Sequence, residues 1–350
     1  MDQITLLRPD DWHLHLRDGA MLRAVLPDTA ARFARAIVMP NLKPPVTTVA
    51  DAQAYRERIL AARPTGSNFQ PLMTLYLTET SSAEEIRKAK ESGIVQGVKY
   101  YPAGATTNSE NGVRDLRVVY PVLAAMERWD LPLLLHGEVT DPAVDVFDRE
   151  TVFIERVLLP LRRDFPALRM VLEHVTTQGA VDFVHSAGPH MAATITAHHL
   201  LLNRNALFQG GIRPHHYCLP VLKREQHRQA LIAAATGGSP QFFLGTDSAP
   251  HAQATKESAC GCAGIYTAHA AIELYAEVFD QAGALDRLEG FASRHGPTFY
   301  GLPCNAEQIT LRRERWTVPA NIGAGEEMVV PFRAGENILW RLVSGWASTN

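Results

Sequence analysis

The feature of this sequence that most constrains the fold is a repeated pattern, in which a short apolar run ends in polar or turn residues. Seven such runs occupy residues 36–40, 71–77, 94–100, 131–136, 169–174, 191–196 and 241–245. Residues 4–12, just before His13, can supply an eighth. Runs of this length without strict apolar–polar alternation are typical of strands that are buried on both faces of a parallel sheet.

The segments between these runs mix charged and apolar residues with a helical period. They are residues 51–63, 83–91, 113–129, 148–165, 178–186 and 220–236. A strand followed by a helix, repeated eight times, predicts a (β/α)₈ barrel of the TIM type. A doubly wound sheet is the alternative, but neither a G-x-G-x-x-G nor a Walker A loop follows any run. We therefore predict an α/β barrel over about residues 4–300.

The C-terminal part of the chain has a different character. Two further helices are predicted at residues 268–283 and 285–295. After Gly301, residues 308–318 and 327–342 alternate and are rich in Val, Trp and Arg. This indicates a small β-type extension over about residues 301–350, packed on the barrel. We expect residues 1–350 to form one domain.

Composition argues against several classes of protein. Apolar residues make up 46% of the chain and charged residues 20%, as in an ordinary globular enzyme. A formal net charge of −3 gives no reason to expect nucleic acid or a membrane surface as partner. Four cysteines are too few for a disulfide scaffold, and neither a secretory signal nor a membrane span is evident. A cytoplasmic location is expected.

Unusual polar residues lie where the apolar runs end, which is where a barrel of this type places its active site. They are an H-x-H pair, a lysine, two further histidines and an aspartate: His13, His15, Lys99, His136, His174 and Asp247. The intervals from Lys99 onward are 37, 38 and 73 residues. Each interval is one strand–helix unit, and the last is two. These residues are therefore predicted to lie at one level of the barrel.

The residue types in this set favour a metal site. Side chains alternate along a strand, so His13 and His15 face the same side and can bind one divalent ion. An ammonium at Lys99 beside metal ions would be disfavoured by like charge and burial, which lower its pKa. The neutral amine can add carbon dioxide, and the two carbamate oxygens can bridge two cations. Taken singly, His136 or His174 could be a core histidine, and Lys99 could reach solvent.

Several motifs carry a family resemblance: WHLHLRDG, MPNLKPPVTT, GVKYYPAGATTN, LLLHGEV, LEHVTT, GGIRPHHYCLP, GTDSAPH and KESACGCAG. They resemble those of dihydroorotases of the compact class II type, in the amidohydrolase superfamily. The similarity runs from about Leu7 to about Leu342. It implies a binuclear zinc site in a (β/α)₈ barrel, a homodimer, and the reversible cyclisation of N-carbamoyl-L-aspartate to L-dihydroorotate in pyrimidine biosynthesis.

The resemblance also implies a role for each metal-site residue. His13, His15 and Asp247 would hold one Zn²⁺, and His136 and His174 the other. Lys99, as N6-carboxylysine formed with carbon dioxide, would bridge the two. In the hydrolytic direction a metal-bridging hydroxide would attack the ring amide, with Asp247 as general base and then general acid.

The substrate carries a carboxylate, for which a planar cation is suited. Arg17, just past the H-x-H pair, is expected to bind it bidentately. The resemblance adds a mobile loop over residues 103–108, whose threonines touch substrate, and further contacts from side chains and backbone. The complete substrate-binding set is Arg17, Asn41, Thr106, Thr107, His136, Leu219, His251 and Ala263.

Alternative interpretations remain at this stage. A hydantoinase or allantoinase would share the metal ligands, and an inactive homologue could serve as a scaffold. Cys260-Gly-Cys262 could be a thiolate or redox site, but no second cysteine pair has zinc spacing. The adjacent pairs His198-His199 and His215-His216 would face opposite sides of a strand, so neither is expected to chelate a metal.

Overall fold

The computed structural model describes residues 2–259, 261–323 and 325–344. Its centre is an eight-stranded sheet in which every strand is parallel to its neighbours in chain order. After a first strand that lies elsewhere, β1 (Gln3–Leu7), the strands of this sheet are β2 (Asp10–Leu14), β3 (Arg35–Val38), β4 (Gln70–Tyr76), β5 (Val95–Tyr100), β6 (Leu133–Leu135), β7 (Met170–Leu172), β8 (Met191–Ile195) and β9 (Phe242–Leu244).

The sheet closes on itself between its first strand and the segment that follows its last. Leu14 and Ser248 form a parallel bridge. The amide of Asp247 donates to the carbonyl of His13 at 2.9 Å, and the amide of His15 donates to the carbonyl of Ser248 at 3.0 Å. These contacts close the barrel at the carboxyl ends of β2 and β9, and they confirm the predicted (β/α)₈ architecture.

Helices follow the strands around the barrel. The α-helices are α1 (Gly19–Arg32), α2 (Val49–Ala62), α3 (Ala83–Ser92), α4 (Tyr120–Trp129), α5 (Arg149–Phe153), α6 (Leu159–Asp164), α7 (Gln178–Ser186), α8 (Ala197–Leu201), α9 (Glu225–Thr236), α10 (Gln253–Lys256), α11 (Ala271–Gln281) and α12 (His295–Tyr300). A π-helical turn, Ile154–Leu158, joins α5 to α6, and another, Gly290–Arg294, precedes α12. Within the described chain, no helix has the length and apolar character needed to cross a membrane.

Short polar residues fix where several of these helices begin. At α2, the Thr48 hydroxyl accepts from the Asp51 amide at 3.1 Å, while the Asp51 carboxylate accepts from the Thr48 amide at 3.0 Å. This reciprocal arrangement satisfies two amides that a helix start otherwise leaves unpaired. Thr177 at α7 and Thr196 at α8 make a simpler cap, in which the threonine hydroxyl accepts from a backbone amide of the first turn.

A second sheet is built from both ends of the chain. It has three antiparallel strands in the order β1, β10 (Gln308–Thr317), β11 (Asn337–Ser344). Residues 4–12 therefore do not form one barrel strand as expected. They divide at Arg8-Pro9, where the buried Arg8 guanidinium donates to the carbonyls of Ala30 and Phe33, and β1 pairs with β10 instead.

Other boundaries also differ from the prediction. Helix α1, which contains Pro27, was not among the predicted segments. The helix expected from residue 220 begins only at Glu225, after residues that run without helical structure. Within residues 327–342, the strand begins only at Asn337. Residues 113–129 contain a 3₁₀ turn, Leu116–Val119, before α4.

Apolar side chains fill the interior beneath the site. One cluster draws on six barrel strands and the adjoining segments; it contains Trp12, Ile37, Met39, Leu134, Val171, Ala192, Phe243 and Tyr300. The rings of Trp12 and Tyr300 stack with centroids 4.5 Å apart. Gly296 allows this packing, because a β-carbon there would collide with the Trp12 indole. The interior beneath the site is therefore a packed apolar core.

Candidate active site

The six residues predicted to bind metal lie at the carboxyl ends of five barrel strands. They lie in or just after β2, β5, β6, β7 and β9. All six are buried: His13, His15, Lys99, His136, His174 and Asp247. The structure brings them together around the axis of the barrel. The equal sequence intervals thus correspond to one level in space, as expected from the repeat.

His13, His15 and Asp247 form the tightest part of this group. Oδ1 of Asp247 lies 3.3 Å from Nε2 of His13 and 3.1 Å from Nε2 of His15. One ligand atom from each of the three lies within 4.8 Å of the others. Two imidazoles and a carboxylate that converge on one point are a donor set suited to Zn²⁺ or a similar divalent ion.

His174 and His136 extend the group across the barrel. The ring centroid of His174 lies 4.9 Å from that of His13 and 4.9 Å from that of His136. Nδ1 of His174 is buried and has no hydrogen-bond partner among the described residues. A buried imidazole nitrogen without a partner is costly unless something else binds it.

Two of these ligand candidates have left-handed backbone. The φ angle is 42° at His174 and 44° at Asp247. Residues other than glycine rarely adopt this conformation, and it is strained unless the surroundings enforce it. The His174 amide donates to Oγ1 of Thr194 at 2.7 Å, and the Asp247 amide donates to the carbonyl of His13. These hydrogen bonds hold both turns so that the side chains project over the strand ends.

Two buried carboxylates behind the histidines were not predicted. Oε2 of Glu173 lies 3.0 Å from Nδ1 of His13 and accepts from Oγ1 of Thr194 at 2.5 Å. Oε2 of Glu138 lies 2.8 Å from Nε2 of His136. Carboxylates in this position fix the tautomer of a metal-binding histidine and make it more basic. In the sequence, Glu138 lies two residues after His136 and Glu173 directly precedes His174, and this closeness to predicted ligands was their only signal.

Burial sets the protonation of the histidines. It lowers the pKa of His15 to about 4, and it also lowers the pKa values of His136 and His174. Neutral imidazoles are the form that binds metals. For His13, burial also acts to lower the pKa, but the Glu173 carboxylate and the hydrogen bond and charge of Asp247 together outweigh burial, and the pKa is raised.

Asp247 is ionised in this setting. Burial acts to raise its pKa, but hydrogen bonds and charge from His13 and His15 outweigh burial and hold the pKa well below its usual value. The residue therefore presents a carboxylate to the cavity at neutral pH. An ionised carboxylate can act as a metal ligand or as an acceptor of a proton.

Lys99 is the least compensated member of the group. It is fully buried, and its Nζ has no hydrogen-bond acceptor among the described residues. Its Nζ lies over the face of the Tyr101 ring, 4.9 Å from the ring centroid. Burial lowers the pKa of Lys99 to about 8, although the charges of Glu173 and Asp247 act in the opposite direction. A buried amine with a lowered pKa and a free lone pair fits the requirement for carbamate formation.

A cavity opens above these residues. It is lined by His13, His15, Arg17, Asn41, Tyr101, Thr106, Thr107, His136, His174, Leu219, Asp247, Ala249, Ala263 and Gly264. All the predicted substrate-binding residues line it except His251. Five of the six predicted metal ligands, all but Lys99, therefore share one cavity with seven of the predicted substrate contacts.

His251 takes part through Arg17. Nε2 of His251 lies 3.0 Å from Nη2 of Arg17 and also 3.0 Å from the carbonyl oxygen of Ala263. The same ring nitrogen cannot accept from the guanidinium and donate to the carbonyl. If Nε2 of His251 donates its proton to the Ala263 carbonyl, it cannot accept a hydrogen bond from Nη2 of Arg17. Nη2 of Arg17 is then available to donate to an incoming anion. Burial and the Arg17 charge lower the pKa of His251, which keeps the ring neutral.

Asn41 links a metal-ligand candidate to the loop over the cavity. Its Oδ1 lies 2.9 Å from Nδ1 of His15, and its Nδ2 donates to the carbonyl of Thr107 at 3.0 Å. Asn108 donates to the Asn41 carbonyl at 3.0 Å, and the Thr107 hydroxyl donates to the Ala263 carbonyl at 3.3 Å. The loop that carries Thr106 and Thr107 therefore lies across the mouth of the cavity.

The remaining sequence patterns have different outcomes. Cys260 lies outside the described residues, and Cys262 is a free thiol. His215 contacts the Glu257 carboxylate at 2.8 Å. His198 and His199, which were expected to diverge, lie on α8 rather than on a strand, and their ring centroids are only 4.5 Å apart.

Comparison with known proteins shows the family to which the chain belongs. Residues 10–314 match the model of the amidohydrolase family. The dihydroorotase of Cupriavidus necator is 67% identical over 339 residues, which cover 97% of this chain and 98% of the relative. The crystal structure of Saccharomyces cerevisiae dihydroorotase in complex with 5-fluoroorotic acid superposes with a TM-score of 0.91 at 34% identity, covering 98% of each chain. The Campylobacter jejuni dihydroorotase structure gives a TM-score of 0.90 at 36% identity, again covering 98% of each chain.

More distant structures share only the fold. The L-hydantoinase of Arthrobacter aurescens has a TM-score of 0.80 at 16% identity, covering 97% of this chain and 83% of that one. Identity this low does not carry an activity from one protein to the other. The near full-length agreement with dihydroorotases, by contrast, is matched by the site geometry described above. The chain belongs to the dihydroorotase family of the amidohydrolases.

Proposed function

We propose that this chain is a hydrolase of cyclic amides that catalyses the reversible cyclisation of N-carbamoyl-L-aspartate to L-dihydroorotate, with release of water, in pyrimidine biosynthesis. The observation that carries the proposal is a single cavity in which Arg17 faces a buried cluster of histidines and Asp247. The relative from Saccharomyces cerevisiae was crystallised with 5-fluoroorotic acid, a pyrimidine carboxylate. A carboxylate ligand of that kind requires a cation such as Arg17.

The donor set fits two zinc ions. His13, His15 and Asp247 would hold one, and His136 and His174 the other. Lys99, carboxylated by carbon dioxide, would join the two sites, which accounts for its unpartnered Nζ. When bound, such ions polarise the amide carbonyl and lower the pKa of water.

Asp247 is the proton carrier in the proposed reaction. Its carboxylate is ionised and reaches the cavity, so it can take a proton from the attacking water during ring opening. It then returns this proton to the departing ring nitrogen. In the biosynthetic direction the same oxygens remove the proton from the carbamoyl nitrogen and supply it to the leaving water.

Arg17 would orient the substrate through its carboxylate. Its Nε donates to the Pro250 carbonyl at 3.1 Å, which fixes the plane of the guanidinium. Asn41 and His251, with backbone groups of Leu219 and Ala263, would complete the substrate contacts. The loop with Thr106 and Thr107 would exclude bulk water from the closed site, which strengthens the electrostatic contacts to the substrate.

The alternatives differ from this proposal in what they require. A hydantoinase or allantoinase would use the same metal ligands but needs no site for a substrate carboxylate. An inactive scaffold would not need buried, unpartnered polar groups such as Lys99 Nζ and His174 Nδ1 in a cavity. The carboxylate-binding group therefore distinguishes the enzymes, and the buried donor set argues against a scaffold.

The substitution Arg17→Lys tests the substrate assignment. A lysine keeps the charge but loses one of two parallel hydrogen bonds to the carboxylate. A charge-assisted hydrogen bond is worth roughly 1.5–3 kcal/mol, so kcat/KM for dihydroorotate should fall about ten- to a hundredfold. An unchanged value, together with good turnover of an uncharged hydantoin by the parent enzyme, would instead support a hydantoinase.

Metal analysis tests the proposed ion sites independently of substrate. Protein purified without chelator should retain divalent ions in the group formed by His13 and His136 and their neighbours. His13→Ala should reduce occupancy mainly at one position, and His136→Ala mainly at the other. A fully active preparation that contains no divalent metal would rule out the proposed chemistry.

Three further proposals concern organisation. We propose one domain, because Trp340 of the terminal sheet is buried and Glu277 of α11 accepts from the Leu339 amide at 3.3 Å.

We propose a homodimer, supported by the exposure of the large apolar side chains of Phe208 (65%) and Ile212 (83%). We propose a cytoplasmic location, consistent with the free thiols among the described cysteines. Sedimentation of the purified protein tests the dimer.

A further inference from the structure

A second group of potential metal ligands lies apart from the proposed catalytic ions. His198 and His199 of α8 and Cys218 of the segment before α9 place one ligand atom each within 4.8 Å of the others. Their exposed fractions are 0%, 2% and 1%. Nothing in the proposed reaction uses these three side chains.

We propose that His198, His199 and Cys218 bind a third divalent ion, zinc or another ion that prefers thiolate and imidazole ligands. Such ions accept sulfur and nitrogen donors in tetrahedral arrangements. On binding, the Cys218 thiol loses its proton to solvent and becomes the thiolate ligand. No change in oxidation state is involved.

His198 gives the first argument. Both of its ring nitrogens are buried, and neither has a hydrogen-bond partner among the described residues. An imidazole always carries at least one donor or acceptor that water would otherwise satisfy, so its burial without a partner is unfavourable. A metal ion between His198 and its neighbours removes this penalty at one nitrogen.

His199 gives the second argument. Its Nδ1 lies 2.7 Å from Oγ1 of Thr196, which also accepts from the His199 amide at 3.1 Å. When Nδ1 carries the proton and donates to Thr196, the lone pair of Nε2 is available. A hydrogen bond on the far nitrogen is the arrangement that metal-binding histidines commonly have.

The distance from His199 to Cys218 is appropriate for a shared ion. Nε2 of His199 lies 3.8 Å from Sγ of Cys218. Tetrahedral zinc, with bonds of about 2.0 Å to nitrogen and about 2.3 Å to sulfur, would separate the two by roughly 3.5 Å. The carbonyl oxygen of Pro220 lies 3.0 Å from Nε2 and 3.3 Å from Sγ, and it is placed to act as a fourth ligand.

The same distances permit a metal-free arrangement. Nε2 of His199 and the thiol of Cys218 could each donate a hydrogen to the Pro220 carbonyl. That arrangement explains His199 and Cys218 as structural hydrogen-bond donors, but it leaves both nitrogens of His198 without partners. The two arrangements differ in whether sulfur contacts a metal, and this can be measured directly.

The position of the group suggests what the ion would do. Cys218 and Pro220 flank Leu219, which lines the catalytic cavity. An ion held by Cys218 and by α8 would fix this segment to the end of β8 without touching substrate. It would therefore be a structural ion that positions the backbone of Leu219.

Cobalt substitution is the decisive experiment, because the proposed catalytic ligands include no sulfur. The chain has four cysteines, and replacing Cys260, Cys262 and Cys304 with serine leaves Cys218 as the only thiol. We expect the cobalt-loaded triple variant to show a thiolate-to-cobalt charge-transfer band in the near ultraviolet. Adding Cys218→Ser should abolish the band, and His198→Gln should weaken cobalt retention at this site while the catalytic cobalt remains.

A second measurement keeps the test independent of variants in the cluster. X-ray absorption at the zinc edge of the zinc-loaded triple variant should require about one sulfur neighbour among three ions, at about 2.3 Å. A fully metal-loaded triple variant with neither a sulfur neighbour nor a charge-transfer band would overturn the proposal. So would a band that survives Cys218→Ser.

Discussion

Two lysines in this molecule are alike in burial and in their lowered pKa but differ in their hydrogen bonds. Lys99 in β5 and Lys256 at the end of α10 are exposed by only 0% and 4%. Burial lowers the pKa of each to about 8. Nζ of Lys256 donates to the carbonyls of Tyr217, Cys262 and Gly264 at 2.9, 2.9 and 2.7 Å. Nζ of Lys99 has no acceptor among the described residues.

The difference shows that a lowered pKa alone does not identify a functional lysine. Three carbonyls use all three protons of the Lys256 ammonium, so this residue holds the loop after α10 as a cation. Lys99 has no such compensation, and its neutral form costs less there than its charged form. The unpartnered atom, rather than the shifted pKa, therefore marks the residue with a chemical role.

The largest effect should follow substitution of Lys99. Lys99→Ala should abolish activity and release metal, because the bridge between the proposed ion sites is lost. Short carboxylic acids added with zinc should partly restore activity by supplying a carboxylate in its place. Lys256→Met should instead lower the free energy of unfolding by about 1–3 kcal/mol, through its unsatisfied carbonyls, and keep the catalytic metals.

The pH dependence of reactivation of the metal-free enzyme tests the proposed carboxylation of Lys99. Only the neutral amine of Lys99 adds carbon dioxide, and its pKa of about 8 means that the ammonium dominates at lower pH. At constant dissolved carbon dioxide, reactivation with zinc should accelerate about tenfold per pH unit below 8 and level off above it. Near-normal turnover by Lys99→Arg, which cannot form a carbamate, would contradict the bridging role.

Smaller effects are expected from substitution of two buried aspartates that lie at opposite ends of the barrel, Asp10 and Asp247. Asp10 is paired with Nε and Nη2 of Arg35 at 2.9 and 2.5 Å, whereas Asp247 faces the cavity and the histidines. Asp247→Asn should lower kcat by about 10²–10⁴, because it removes the proposed proton carrier. Asp10→Asn should retain kcat but lower the free energy of unfolding by about 3–5 kcal/mol. Denaturation and steady-state kinetics on both variants test these roles. A large loss of kcat in Asp10→Asn, or a normal kcat in Asp247→Asn, would contradict the assignment.

Much of the fold could be predicted because strands buried on both faces leave continuous apolar runs. The seven internal runs all correspond to barrel strands. The first strand was misplaced because β1 pairs with β10, about 300 residues away, and no local pattern records that partner. Helix α1 was missed because it contains Pro27, which more often ends a helix than lies inside one.

Part of the site could be predicted because all the barrel strands end at the same, carboxyl end of the barrel. Polar residues ending apolar runs were sufficient to identify His136 and Lys99. Glu138 and Glu173 were not identified because they act on neighbouring histidines rather than lining the cavity. The approach of Cys218 to α8 depends on how two distant segments pack, which the sequence spacing does not encode.

The smallest effect is expected from the loop over the cavity. The Thr107 hydroxyl of this loop already has a hydrogen-bond acceptor, and we propose that it helps to close the loop over the substrate. The Thr107 hydroxyl donates to the Ala263 carbonyl at 3.3 Å, a bond that joins the loop to the opposite side of the mouth. Changing Thr106 and Thr107 together to Val keeps their shape and removes both donors. Turnover should fall by about tenfold or more, because a loop that closes less well admits water, while metal content stays the same. Ser109→Ala is the matched control: its hydroxyl braces the loop internally, donating to the Thr106 carbonyl at 2.6 Å, so loosening the loop alone can be separated from removing the two donors. If the double variant cyclises carbamoyl aspartate at the normal rate, the threonine hydroxyls have no part in catalysis and the loop is a fixed surface turn.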